Sequence, residues 1–187
     1  MSDLMLDVSQ AVELKMAFRR AGYTNAQIKQ LSEGDILAQV RDVLKGVSAI
    51  NSIPHIIDCD ADPLIPNGWK IEEHQKGGVW QWDVNKLSLY LSKLQKNGNT
   101  INGNDLRKEL KNKSVLNANV LDYLLKHPEL IPEEWKDKVV FFWGTIYRGS
   151  DGRLCVRDLR WRGGCWRWYD YWLDVGWDSA NPAAVRA

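Results

Sequence analysis

Residues 139–172 read VVFFWGTIYRGSDGRLCVRDLRWRGGCWRWYDYW. Three extended runs, Val139 to Tyr147, Leu154 to Trp161 and Cys165 to Trp172, are separated by glycine-bearing turns at Gly149 to Gly152 and Arg162 to Gly164, so the stretch predicts an antiparallel meander. Alternate residues of a strand face opposite sides. In the last run this sorts Trp166, Trp168, Asp170 and Trp172 to one face and Cys165, Arg167, Tyr169 and Tyr171 to the other. An indole can bury about 150–250 Å², which leads us to expect the tryptophan face to rest on the core. The Arg and Tyr side is then free for contact, and these are residue types that binding surfaces favour.

Working back from the meander, Asn104 to Leu110 and Asn117 to Leu125 have helical apolar spacing, the second stopped at His127-Pro128. Asp83 is read as the cap of an amphipathic helix through Leu87, Tyr90, Leu91 and Leu94, ending at Asn97-Gly98. His55 to Cys59 and Trp69 to His74 read as short strands around the turn-rich Asp60 to Gly68. Before Pro54 apolar residues recur at helical intervals in three short pieces punctuated by Gly22, Gly34 and Gly46, with Thr24 capping the middle one. The expected organisation is therefore a small helical unit over 1–50 and an α+β domain over 51–187. A helix pair around a turn also fits a DNA reader, but the third helix offers only Arg41 and Lys45 as basic contacts, so packing is the reading adopted.

The 187 residues carry 25 Lys plus Arg against 24 Asp plus Glu, and whole-molecule charge draws the chain neither to a polyanion nor away from one. The first thirty residues interleave Asp3, Asp7, Glu13, Lys15, Arg19 and Arg20 with apolar positions, which is not the texture of a secretory signal, and no stretch reaches transmembrane length. Cys59, Cys155 and Cys165 are an odd set at spacings that suit neither a disulfide framework nor a zinc knuckle. A cytoplasmic protein without membrane attachment is the expectation.

One compositional break carries the functional argument. The chain's fourteen Lys, eight Glu, seven Gln and three Met all lie at or before Lys138. An even spread would place about eleven of them in residues 139–187, yet that segment has none. It does hold seven Arg and five Asp, with six of the ten Trp, so burial does not explain the gap.

The C-terminal part resembles the variable proteins of diversity-generating retroelements, in particular a Trp-rich group. The motifs are Phe141-Phe142-Trp143-Gly144-Thr145-Ile146-Tyr147-Arg148, Ser150-Asp151-Gly152, Val156-Arg157, the ladder Trp161, Trp166, Trp168, Trp172-Leu173, Trp177, and the closing Asn181-Pro182-Ala183-Ala184. Upstream, Gly68-Trp69-Lys70, Glu73 to Gly78, Leu116 to Leu125 and Pro132 to Lys136 are similar to the same group, and the resemblance spans about 55–187. It implies replacement of template adenines during reverse transcription. Applied to AAC codons this yields Arg, Asp, Gly, Cys, Tyr, Ser, Val and Ala among others, but never Lys, Glu, Gln, Met or Trp. It also implies a C-type-lectin-like domain, in which two or three helices flank a small antiparallel sheet. The calcium motifs of the sugar-binding relatives, Glu-Pro-Asn and Trp-Asn-Asp, are missing from the chain, so a lectin fold without lectin chemistry is expected.

On this reading the chain is a non-enzymatic, cofactor-free binder of a macromolecular, protein-like ligand. The diversified region is about 154–181, and the ligand-binding positions are Asp158, Arg160, Arg162, Gly163, Gly164, Cys165, Arg167, Tyr169, Tyr171, Asp174, Val175, Gly176, Asp178, Ser179 and Ala180. The rival is a nucleic-acid platform: residues 148–167 hold six Arg against Asp151 and Asp158, interleaved with aromatics that can stack on bases. Asp170, Asp174 and Asp178 follow at once, where an electrostatic groove would avoid them. Asp58, Asp60 and Asp62 have the spacing that opens a calcium loop, but Pro63 and Trp69 stand where that loop needs Gly and Glu, so turn capping is expected of them. His55, Cys59 and His74 lack a zinc-ligand spacing.

Overall fold

A computed structural model describes residues 5–51 and 53–187, and the chain divides between Ile53 and Pro54 into two compact units. The first contains α1 (Val8–Arg20), α2 (Asn25–Ser32) and α3 (Ile36–Leu44); the first four residues of the helical unit expected over 1–50 lie outside the described residues. Asp7 with Gln10, and Thr24 with Gln27, form reciprocal capping boxes that satisfy the free amides at the starts of α1 and α2. Phe18, Ile28, Leu31 and Val43 are half-buried, and none of the three helices has a fully buried residue.

The second unit is a mixed α+β domain. Its strands are β1 (Ile56–Asp58), β2 (Lys70–His74), β3 (Val79–Gln81), β4 (Leu87–Tyr90), β5 (Ile101–Asn102), β6 (Val140–Arg148), β7 (Leu154–Arg162), β8 (Cys165–Trp172), β9 (Gly176–Trp177) and β10 (Ala183–Arg186), with helices α4 (Gly103–Leu110) and α5 (Ala118–Lys126). The main sheet runs β4-β10-β6-β7-β8, with β2 also paired to β6; β1 with β3 and β5 with β9 form two small ribbons.

The sheet is organised by β6, whose residues Val140 to Tyr147 are all buried. Val140 and Phe142 enter a cluster with Leu121 and Leu124 of α5, while Phe141 and Trp143 enter another with Leu106 and Leu110 of α4. One helix thus covers each face, which is why the run is continuously apolar instead of alternating. Trp177, fully buried, fills the α4 side, its ring 4.4 Å from Phe141 and 4.6 Å from Trp143. A register shift falls between Phe141 and Ile146. There Gly144 lies so close to Asn117, the residue before α5, that an added Cβ would sit 2.8–2.9 Å from it.

The meander lies where the sequence places it, and β8 has the expected bounds. The helix expected from Asp83 to Asn97-Gly98 does not form. Asp83 caps only a single 3₁₀ turn, Val84–Lys86, and Leu87–Tyr90 is a strand paired with β10. Leu87 and Leu89 pack on the α5 side and Tyr90 on the α4 side, so two-fold alternation on a sheet overrides the helical spacing. The chain's last strand, β10, returns between β4 and β6 and closes the sheet.

Replacing Gly144 with Ala forces backbone or Asn117 to move in a packed interior and should cost about 1–3 kcal/mol. Urea unfolding measures this, and an unchanged midpoint would show that the contact gives way freely.

Candidate functional site

The two-residue turn Gly163-Gly164, both at positive φ, joins β7 to β8 and sets their register, Arg162 opposite Cys165 through Cys155 opposite Trp172. Such left-handed positions suit glycine. The turn thereby fixes which side chains become cross-strand neighbours.

On one face of the hairpin three tryptophans are each covered by a cation. Lys136 Nζ lies 4.6 Å from the Trp161 ring, Arg157 4.4 Å from Trp168, and Arg153 4.0 Å from Trp172. The three residues are 36%, 37% and 41% exposed respectively. The expectation that the tryptophan face is core is therefore corrected. Trp166 packs, half-buried, against the α5 cluster, but Trp168 and Trp172 belong to the outermost strand and rest on guanidinium groups. Such contacts are worth about 0.5–2 kcal/mol each, depending on desolvation.

Beneath Trp168, Arg157 is 1% exposed and forms a bidentate pair with Asp122 of α5, at 2.6 and 3.1 Å. Sequence reading missed this group. The signal was present, because a two-glycine turn places Arg157 opposite Asp170 and diagonal to Trp168. A cavity of about 660 Å³ opens beside it, lined by Asp58, Asp62, Asp122, Tyr123, Arg157 and Trp168 among others.

The opposite face carries Arg160, Arg162, Cys165, Arg167, Tyr169 and Tyr171. Arg162, Cys165 and Arg167 are exposed, and Arg167 Nε donates to Cys165 Sγ at 3.3 Å. Tyr169 lies under the Arg160 guanidinium at 4.4 Å. Tyr171 is half-buried against Phe141 and Trp177, so this face is not wholly free either.

Asp158 is corrected outright: it is fully buried, and both its oxygens accept from Arg160, at 2.7 and 2.8 Å. Its carboxyl is pushed up by burial despite the attraction of Arg160. Among the described residues its only side-chain partner is this arginine of its own strand, and its burial keeps it from meeting a ligand. Asp174 is exposed but engaged by Arg153, whose Nε donates at 2.9 Å, and this pairing lowers its pKa.

Val175 is half-buried and Gly176 exposed; Asp178, Ser179 and Ala180 form an exposed turn. Asp178 Oδ1 accepts from the Ala180 amide, and the buried Gln95 donates to the carbonyls of Asp178 and Asn181. That turn is displayed on a fixed support.

Two of the three aspartates act as turn caps, while Asp62 lines the cavity beside Arg157. Asp58 accepts from the amides of Asp60 and Ala61, and Asp60 from that of Gly78. His74 bonds to Thr145 and the Cys59 carbonyl, and His55 to Tyr123. Among the described residues no group of three or more His, Cys, Asp or Glu is arranged to hold a metal ion. Cys155 is buried, and its thiol is pushed up to about 12, chiefly by burial and then by Asp170 and Asp151, which leaves it a poor nucleophile. No helix among the described residues is long and apolar enough to cross a membrane. Compared with family models, curated proteins and solved structures, the chain finds no match.

Asp122→Ala strands the buried Arg157 charge and should cost about 3–5 kcal/mol, whereas the pair Asp122→Ala, Arg157→Met should recover much of that loss. Equal losses in single and double variants, read from denaturant midpoints, would show that the pair carries no uncompensated charge. Asp170 is half-buried, and its carboxyl is raised by burial and then by Asp151. The folded state therefore holds this proton longer than the unfolded chain, and stability falls as pH rises from about 4 through the folded pKa. Asp170→Asn should flatten that fall and raise Tm at pH 7 relative to the parent; parallel Tm–pH curves would contradict this.

Proposed function

We propose that this chain is a ligand-binding variable protein diversified by a retroelement, presenting exchangeable residues on and beyond the β7–β8 hairpin. The observation that carries the reading joins composition to exposure. Fourteen of the fifteen candidate positions are exposed or half-exposed, the setting in which Lys, Glu and Gln are ordinarily abundant. Residues 139–187 contain none of these. A substitution process that cannot write those codons accounts for the gap; burial does not.

The architecture is compatible with a C-type-lectin-like domain. Strand β4 is followed by two helices, the β6–β7–β8 meander and a closing strand, β10, that returns to β4, with the candidate positions in the last part of the chain. A protein ligand is favoured over a polyanion by how the arginines are used. Arg148, Arg153, Arg157 and Arg160 are paired with Glu72, Asp174, Asp122 and Asp158. The local positive charge counted along residues 148–167 is thus largely neutralised.

The test is the DNA flanking the gene. We expect a reverse transcriptase and a near-copy of the last hundred or so bases, differing from the gene at adenines whose codons map to Arg162, Cys165, Arg167, Ser179 and their exposed neighbours. A flanking region without such a repeat, or differences falling on the codons of Trp166, Trp168 and Trp177, would overturn the reading.

A further inference from the structure

The outer edge of β8 is open. In a hairpin closed by two residues, the residues flanking the turn exchange backbone hydrogen bonds, and bonded and non-bonded pairs then alternate. Arg162 with Cys165, Arg160 with Arg167, Asp158 with Tyr169 and Val156 with Tyr171 are accordingly the bonded pairs. The bond from the Leu173 amide to the Leu154 carbonyl, at 2.9 Å, continues the same alternation.

The amides and carbonyls of Trp166, Trp168, Asp170 and Trp172 therefore point away from β7. β8 is the terminal strand of the sheet, and within this unit only one of these groups is used: the Trp172 carbonyl accepts from Trp177 Nε1 at 3.1 Å.

The other edges of the sheet are guarded in the usual ways. β4 has only four residues, and β2 carries Lys70, Glu72 and Glu73 with a register shift between Ile71 and Glu73. β8 has eight residues in unbroken register with β7, and no proline or lysine.

We propose that the β8 edge is the docking site for an extended segment of the protein ligand, which adds to the sheet as a further antiparallel strand. The inference rests on the reading of the chain as a binder and adds how the ligand is held. Alternating donors and acceptors at the strand repeat are matched only by another extended backbone, the mode known as strand addition. Backbone bonds would then supply affinity regardless of which residues are displayed, and the side chains at Cys165, Arg167, Tyr169 and Tyr171 would select the sequence.

In this copy Arg167 meets only the Cys165 sulfur, and Asp170, on the other face, has no ion-pair partner among the described residues. The fitting segment places an acid opposite Arg167 and a base opposite Asp170, three positions apart, with apolar residues against Trp166 and Trp168. A second copy of the chain fits less well. In the antiparallel registers that oppose its own edge groups, Arg167 faces Tyr169, Tyr171 or Leu173 and never a carboxylate.

The experiment uses the isotope-labelled full chain and a blocked synthetic peptide of about ten residues, alternating threonine and valine and carrying a lysine with a glutamate three residues later. Amide exchange at Trp166, Trp168, Asp170 and Trp172 should slow about tenfold or more at saturating peptide, with no slowing by a version N-methylated at alternate residues. Arg167→Ala, at an exposed site, should keep the fold and weaken binding about three- to tenfold. No slowing at millimolar peptide, or equal binding of the N-methylated version, would overturn the proposal. So would protection of these amides without peptide in a species of twice the mass, which would give the edge to a second copy. Flanking DNA without a template repeat would remove the retroelement reading while leaving a peptide-binding edge intact, and the converse holds, so the two failures are distinguishable.

Discussion

A strand with large apolar side chains on both faces must be covered twice, and β6 imposes that requirement on everything around it. Val140 and Phe142 need α5; Phe141 and Trp143 need α4 and Trp177. Meeting both demands consumes the two helices of the domain. Beyond β7 the helical cover runs thin: Trp166 still packs against the α5 cluster, but Trp168 and Trp172 stay partly exposed and rest on arginines.

This arrangement explains how a tryptophan-rich strand can stay ordered at a surface. The guanidinium of Arg157 is held by Asp122 below and stacked on by Trp168 above, and Arg153 joins Trp172 to Asp174 in the same way. Both contacts lie on the face opposite Arg167 and Tyr169. Side chains on that second face can change without disturbing what supports the first, as a binding surface with exchangeable residues requires. Tyr171 and Arg160 are the exceptions, because Tyr171 also packs on Phe141 and Trp177 and Arg160 is the partner of the buried Asp158.

Close contacts in the interior and at the surface turn differ in kind. Gly144 against Asn117 and Gly103 against Trp177 are close approaches at which an added Cβ would force a neighbour to shift. The turn at Asp178 to Ala180 is held through backbone carbonyls by Gln95, so Ser179 and Ala180 are constrained in position but not in identity. Fixed geometry reached through backbone contacts, with free side chains, is common to this turn and to the β8 edge.

The meander, its turns, both domain helices and the absence of four residue types after Lys138 were legible in the sequence, because strand alternation, glycine turns and composition are local properties. The strand at Leu87–Tyr90 was not, since Leu87 and Leu89 suit a helix as well until β10 returns to pair with them. Nor were the burial of Asp158 and the exposure of Trp168: alternation assigns a residue to a face, but only packing decides whether that face is covered. For Trp168 the decision was made by the finite reach of α5, whose cluster takes in Trp166 and not Trp168; for Asp158 it was made on the other face, where the residue lies opposite the buried Phe141.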